Sequence, residues 1–434
     1  MLVPLFSPRS AYLHIPFCHR RCYYCDFAVV PLGDRAGGAT GQVGSASIAA
    51  YLGLLQREIA SSASGPPLAT VYLGGGTPSL LTPGQVGELL DALQQRFGID
   101  AGAEITLELD PASFDQQRLI GYLEAGINRV SLGGQSFDDA VLQSLGRRHS
   151  GADLAQAIDW MAWALGSGHL ASWSLDLIQA VPTLAGTTTG GEIGCEIGGE
   201  IEAWRSQLQR AIASGAPHLS VYELTLEPGT VFGKQHERGL LSLPSDDLAA
   251  DLMELTAGEL RGAGYGHYEI SSYAKPGHAS RHNRVYWSGA GWWGFGMGAT
   301  AAPWGHREAR PRTRQGYGAW MEQPATDPSG PGVPFDERLL VGLRRREGVR
   351  MAALLEQVAG LAPEAATAAA KELAQRLEPF RQRGLLRIVG QRWQLSDPEG
   401  LALSNAVLRE MLSWWDRARA AQPPTASGPP SPET

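Results

Sequence analysis

The feature that most constrains this chain is a regular alternation of short apolar runs with helix-spaced segments. Strand-like runs at 12–15, 69–73, 104–110, 127–133, 172–178 and 218–225 alternate with stretches at 48–61, 83–97, 113–125, 138–165 and 200–214, whose apolar residues recur at helical spacing. Six β–α units in succession imply a parallel sheet covered by helices. An open doubly wound sheet would gather its polar residues at one switch point. Here they come after strand upon strand. Cys18, Cys22 and Cys25 come after the first, Gly74 to Thr77 after the second, and Glu108 ends the third. Gln135 follows the fourth, Asp176 lies late in the fifth, and Glu223 and Thr225 close the sixth. Barrels build their mouths in this way. The expected fold is α/β, a partial (β/α)6 barrel.

Three of the four cysteines fall in HIPFCHRRCYYCDF, a CxxxCxxC spacing. Three thiolates on one short loop can hold three corners of a [4Fe–4S] cluster and leave one iron without a cysteine. Zinc is the competing reading, but it would ordinarily need a second CxxC pair or added histidines. His14 and His19 lie nearby, yet no second knuckle follows. A disulfide is disfavoured by the odd number of clustered cysteines. Cys195 sits far away in a Gly/Thr-rich insert at 183–199 and reads as a surface thiol without a role. Glycines at 74–76 let backbone approach a ligand closely. Glu108 and Asp176 on otherwise apolar strands need hydrogen-bonded partners. Ligand hydroxyls or an ammonium would serve, and so would Arg129 or Arg147.

The chain has 434 residues, 43% of them apolar, and a net charge of −8. That acidity gives no electrostatic footprint for nucleic acid. No apolar run reaches the ~18 residues of a membrane span. With few cysteines and no export signal, the expected location is the cytoplasm. The barrel is expected over 1–240, with Gly-rich inserts at 31–47 and 183–199, the first read as a flexible surface loop. An extension at 241–327 carries the aromatic run RHNRVYW. Helices and a two-stranded hairpin at 335–400 suggest a winged-helix-like domain. A terminal helix at 401–421, bearing Trp414 and Trp415, is expected to pack on it, with peripheral membrane contact as the alternative. The tail 422–434 is Pro/Ser-rich and reads as disordered.

The runs HIPFCHRRCYYCDF, GGGTPS, GGQSF, DLI, ELTLEPGT and RHNRVYW together resemble radical S-adenosylmethionine (SAM) proteins, in the oxygen-independent coproporphyrinogen III oxidase-like branch. The resemblance extends from about Tyr12 to Ser396, apart from the inserts. It implies a [4Fe–4S] cluster on Cys18, Cys22 and Cys25, and SAM contacts from Tyr12, Tyr24, Gly75, Gly76, Thr77, Glu108, Gln135, Arg147 and Asp176. Oxidases of this branch carry a further cysteine where Phe27 stands, and an N-terminal arm longer than the eleven residues before Tyr12. Both features are instead similar to a heme chaperone subgroup that hands heme to acceptors such as respiratory cytochromes. The HNxxYW run (His282, Asn283, Tyr286, Trp287) implies His282 as a heme ligand. A decarboxylating oxidase and a zinc-stabilised binding module are the alternatives. No motif names the electron donor or the oligomeric state. Three departures stand out from the branch pattern. Gly134 replaces a branched residue, Gln179-Ala180 replace Tyr-Gly, and Thr300 replaces a histidine.

Overall fold

The computed structural model describes residues 8–184, 193–323 and 333–420. The chain forms two compact units, Met1–Val333 and Pro334–Thr434. In the first, β1 (Ser10–Ile15), β2 (Leu68–Gly75), β3 (Ile99–Leu109), β4 (Arg129–Gln135), β5 (Ser172–Gln179) and β6 (His218–Glu223) lie side by side in chain order. All five pairings between them are parallel. Beyond β1 the sheet gains a short parallel strand, Trp293–Phe295, and beyond β6 it gains antiparallel strands Ser272–Ala274 and Gly266–Glu269. Among the described residues the two edges do not pair with each other, so the barrel is partial.

Strand period explains how such a sheet makes a site. Side chains alternate between faces along a strand. Leu13 and Ile15, Val71 and Leu73, Leu107 and Leu109, Val130 and Leu132, and Leu175 and Leu177 join one continuous core cluster, together with residues of the covering helices. The intervening positions are polar: His14, Thr70, Thr106, Glu108, Ser131, Ser174, Asp176 and Ser220. The helices begin where local chemistry allows. Thr82 with Gln85, and Ser150 with Asp153, form capping boxes that start helices Pro83–Arg96 and Gly151–Gly166.

The segment 31–47 differs from the expectation of a flexible surface loop. Its first residues pair with the cysteine loop, Val30–Pro31 running parallel to Phe17–Cys18. Gly38 N donates to the Leu80 carbonyl, and Gln85 Nε2 donates to the Gly38 carbonyl. The helix Ser45–Ser61 then starts three residues earlier than expected. Glycines here serve backbone geometry, since Gly33 and Gly44 have φ of 92° and 81°. In the second insert, helix Ile193–Ala213 begins inside 183–199. The Cys195 side chain and the tail 422–434 lie outside the described residues.

The aromatic run forms helix Arg281–Ser288 and, after it, strand Trp293–Phe295. Buried Glu58 anchors the segment beyond that strand. Its carboxylate accepts from Gly296 N (2.7 Å), Arg310 Nε (2.8 Å) and Tyr317 Oη (2.7 Å). In the second unit, helices Phe335–Leu343, Met351–Ala359 and Pro363–Arg376 accompany a three-stranded sheet of Val349–Arg350, Arg392–Leu395 and Leu386–Val389. Helix Ser404–Ala420 packs there, with the Trp415 ring 4.3 Å from that of Phe335.

Candidate active site at the barrel mouth

A cavity of about 550 Å³ opens at the C-terminal ends of the strands. Cys18, Cys22 and Cys25 all line it, as do Tyr24, Gly75, Gly76, Thr77, Glu108, Gln135, Arg147 and Asp176. Residues from five strands or the loops after them thus converge on one rim.

The cysteine loop is held on two sides. Thr77 N donates to the Phe17 carbonyl (2.7 Å) and Gly76 N to that of Ile15 (2.8 Å). On the other side Val30 N and Leu32 N donate to the carbonyls of Pro16 and Cys18. Gly76 is required by this contact. A Cβ there would lie 2.9 Å from Cys18 Sγ and 2.7 Å from the Phe17 carbonyl oxygen. Burial pushes the Cys18 thiol up to about 12 and raises that of Cys25. Neutral thiols are therefore favoured until a metal deprotonates them. Among the described residues, no three His, Cys, Asp or Glu side chains converge as they would around a single metal ion. Three thiols sharing one cavity suit a cluster, where each thiolate takes a different iron.

The carboxylates show the clearest signs of a ligand site. Glu108 accepts from Tyr72 Oη (2.8 Å) and Gly75 N (3.0 Å). Burial nevertheless raises its carboxyl to about 7, with nearby Asp176 adding to the shift. Asp176 takes a hydrogen bond from Ser131 Oγ at Oδ2 (2.8 Å), while its Oδ1 is buried without a partner. A buried unpartnered acceptor costs about 1–3 kcal/mol, a cost that a ligand hydroxyl or ammonium would relieve. Gln135 sits at a bulge with φ of 60°, and this turns it onto the rim. Such strain in a non-glycine residue concentrates at functional sites.

Arg147 does not pair with Glu108 or Asp176. Its Nη2 donates to Asp110 Oδ2 (2.7 Å) and the Gly133 carbonyl (2.9 Å), and Nη1 reaches Cys22 Sγ (3.6 Å). This partner holds the Asp110 carboxyl far below the usual range despite its burial. Arg129 likewise contacts Ser172 and the His278 carbonyl rather than an acid. Asp110 and Ser131 are the residues that sequence reasoning missed. Asp110 had one legible signal, its place two residues after Glu108 at the strand end.

Two expected site residues lie elsewhere. Tyr12 is absent from the cavity wall. It sits mid-strand in β1, bonded to His14 Nδ1 (3.0 Å) and stacked on Tyr72. At strand rise it lies about 10 Å below the rim that starts after Ile15. His282 is fully buried, also away from the cavity lining. Its Nδ1 bonds Thr70 Oγ1 (2.8 Å), its Nε2 bonds Tyr286 Oη (2.8 Å), and its ring stacks on Tyr72. Burial pushes its pKa down to about 3, so the ring is neutral. In this arrangement neither ring nitrogen is free for iron.

Comparison with known proteins agrees with this geometry. Residues 12–164 match the radical SAM superfamily. The chain is 38% identical to the heme chaperone HemW of Synechocystis sp. over 430 residues, covering 94% of this chain and 97% of that one. It is 33% identical to the heme chaperone HemW of Mycobacterium tuberculosis, covering 94% and 95%. Among solved structures, coproporphyrinogen III oxidase (HemN) from Escherichia coli superposes with a TM-score of 0.70 at 22% identity, over 95% of this chain and 91% of that one. That likeness bears on the fold. Radical SAM proteins use a [4Fe–4S] cluster and SAM, and the thiols, the glycine cradle and the orphaned Asp176 oxygen fit both groups. With relatives matched over nearly their whole length, this chain belongs to the heme chaperone HemW family of radical SAM proteins.

Proposed function

We propose that this protein is a heme carrier that holds a SAM-ligated [4Fe–4S] cluster and passes heme to acceptor proteins. The observation that carries the reading is the near full-length match to HemW heme chaperones. Cys18, Cys22 and Cys25 would hold the cluster. Gly75, Gly76 and Thr77 would receive the SAM backbone groups, and Glu108, Gln135 and Asp176 would accept its hydroxyl and ammonium donors. Tyr24 and Arg147 close the cysteine side, and Arg147 also steadies Cys22. When bound, the cluster supplies an electron and SAM a sulfonium able to take it. Tyr12 acts from below by packing on Tyr72, which donates to Glu108. His282 could reach iron only if its ring let go of Thr70 Oγ1 and of Tyr286 Oη on its own helix.

Phe27 supports a carrier over a decarboxylating oxidase. It stands exposed in the cavity wall at the position where the oxidase branch carries a further cysteine. Among the described residues no helix is long and apolar enough to cross a membrane, and the proposed location is the cytoplasm. Anaerobic purification with iron, sulfide and heme measured together tests the reading. Cluster-loaded protein is expected to bind one heme per chain and to form no product from coproporphyrinogen with SAM and reductant. Failure to bind heme would end the proposal, as would turnover.

A further inference from the structure

The cavity mouth has features that the cluster and SAM leave unused. Arg20 and Arg21 line it, and both are exposed. Among the described residues, neither has a carboxylate within ion-pair distance. Arg20 Nη2 donates to the Arg147 carbonyl (2.6 Å), and Arg21 Nη2 donates to the Phe27 carbonyl (3.1 Å). Each guanidinium has five donors, so both keep N–H groups for an incoming anion. The Arg21 hydrogen bond also fixes that cation beside Phe27, which is 58% exposed. An exposed apolar ring beside one such cation, with a second on the same cavity wall, is unexpected on a chain of net charge −8. The β6 end of the mouth carries the opposite sign, in Glu223 and Glu227.

This combination selects a flat apolar ligand with carboxylates on one edge. Guanidinium forks match carboxylates in a planar, bidentate way, and an aromatic face offers stacking area at low entropic cost. We infer that heme docks across the cavity mouth, its macrocycle over Phe27 and its two propionates on Arg20 and Arg21. The inference rests on the heme-carrier reading and places the cargo beside the cluster loop rather than on His282. The two propionates would then lie away from Glu223 and Glu227, which fixes the direction in which heme enters.

The test titrates heme and heme dimethyl ester into the full-length, cluster-loaded protein. The ester is expected to bind about tenfold or more weaker, the loss of two charge-assisted contacts at a solvent-facing site. The double variant Arg20→Ala, Arg21→Ala should weaken heme by a similar factor and leave the ester unaffected, which is the signature of a direct pairing. Phe27→Ala should weaken both ligands, and His282→Ala neither. Equal binding of heme and ester by the unaltered protein would overturn the docking site while leaving the carrier reading intact, as would loss of heme on His282→Ala alone. If the unaltered protein binds neither ligand, it is the carrier reading that fails.

Discussion

The buried groups at the mouth of this barrel and the imidazole deeper on its inner face differ in what they leave unsatisfied. At the mouth, Asp176 Oδ1 and Arg147 Nε are buried without partners. Deeper in, the imidazole of His282 has a partner on each nitrogen and an aromatic ring against its face. Native structures satisfy nearly all buried polar groups, so an exception needs an explanation. The mouth is a site prepared for something else, whereas His282 completes a packed lattice. A motif that looks like a ligand in sequence can therefore be part of the scaffold in the folded state.

The sharpest break in the comparison comes from replacing the thiols. Cys18→Ala, Cys22→Ala or Cys25→Ala should reduce iron and sulfide in anaerobically reconstituted protein from about four per chain to background, with melting of the cluster-free chain little changed. The corresponding change in the deeper region should behave in the opposite way. His282→Ala strands Thr70 Oγ1 and Tyr286 Oη and opens a cavity against Tyr72, which should cost about 3 kcal/mol in chemical denaturation. Iron content should be unaffected. A His282→Ala protein of full stability would show that the ring is not structural.

Electrostatics of the mouth give a third expectation. The Glu108 carboxyl is raised from 4.5 to about 7 in the folded chain. Between those values the folded state binds more protons than the unfolded state, so stability is highest at the acid end and falls as pH rises through the window. The loss is about 3 kcal/mol by pH 7 in SAM-free protein. Asp110, held low by Arg147, works the other way and gives up its stabilisation only below the usual carboxylate range. Denaturation midpoints measured from pH 4.5 to 7.5 should decline for the unaltered chain and flatten for Glu108→Gln. An equal slope in both would assign the effect to another group.

Much of this was legible before folding. The six-strand alternation and the polar residues after each strand point to the barrel mouth, and of the residues named for the cluster and SAM only Tyr12 lies off the cavity wall. Most of them sit at strand ends, where spacing alone marks them. Gly75 and Gly76 instead depend on the turn itself, with φ of 115° at Gly75. What could not be read was partner choice. Arg147 and Asp110 are 37 residues apart, and only the parallel pairing of β3 with β4 brings their ends together. His282 and Thr70 are separated by 212 residues, so no local pattern could show that Nδ1 is engaged, although the Tyr286 partner of Nε2 stands only four residues on in the same helix. Composition likewise misled at 31–47, where glycine signals turns as readily as flexibility.

The smallest expectation concerns strain near the mouth. Ala180 follows β5 with φ of 55°, in a region that costs a non-glycine residue about 1–2 kcal/mol. Glycine enters that region with no penalty beyond unfolded-state entropy. Ala180→Gly should therefore raise stability by about 1 kcal/mol or slightly less. Gly134 is the converse case. A Cβ at that position would lie 2.7 Å from Leu175 Cδ1 and 3.1 Å from Leu154 Cδ1. Leucine side chains thus fill the volume that a branched residue at 134 would need. Adding bulk as Gly134→Val should destabilise unless Leu175, the nearer of the two, is trimmed in the same chain, so those two positions should be strongly non-additive. Ala180 has no such partner, and its effect should add independently to any change at the mouth. If Ala180→Gly instead lowered stability, the positive φ would be absent in solution and the turn after β5 would have another shape.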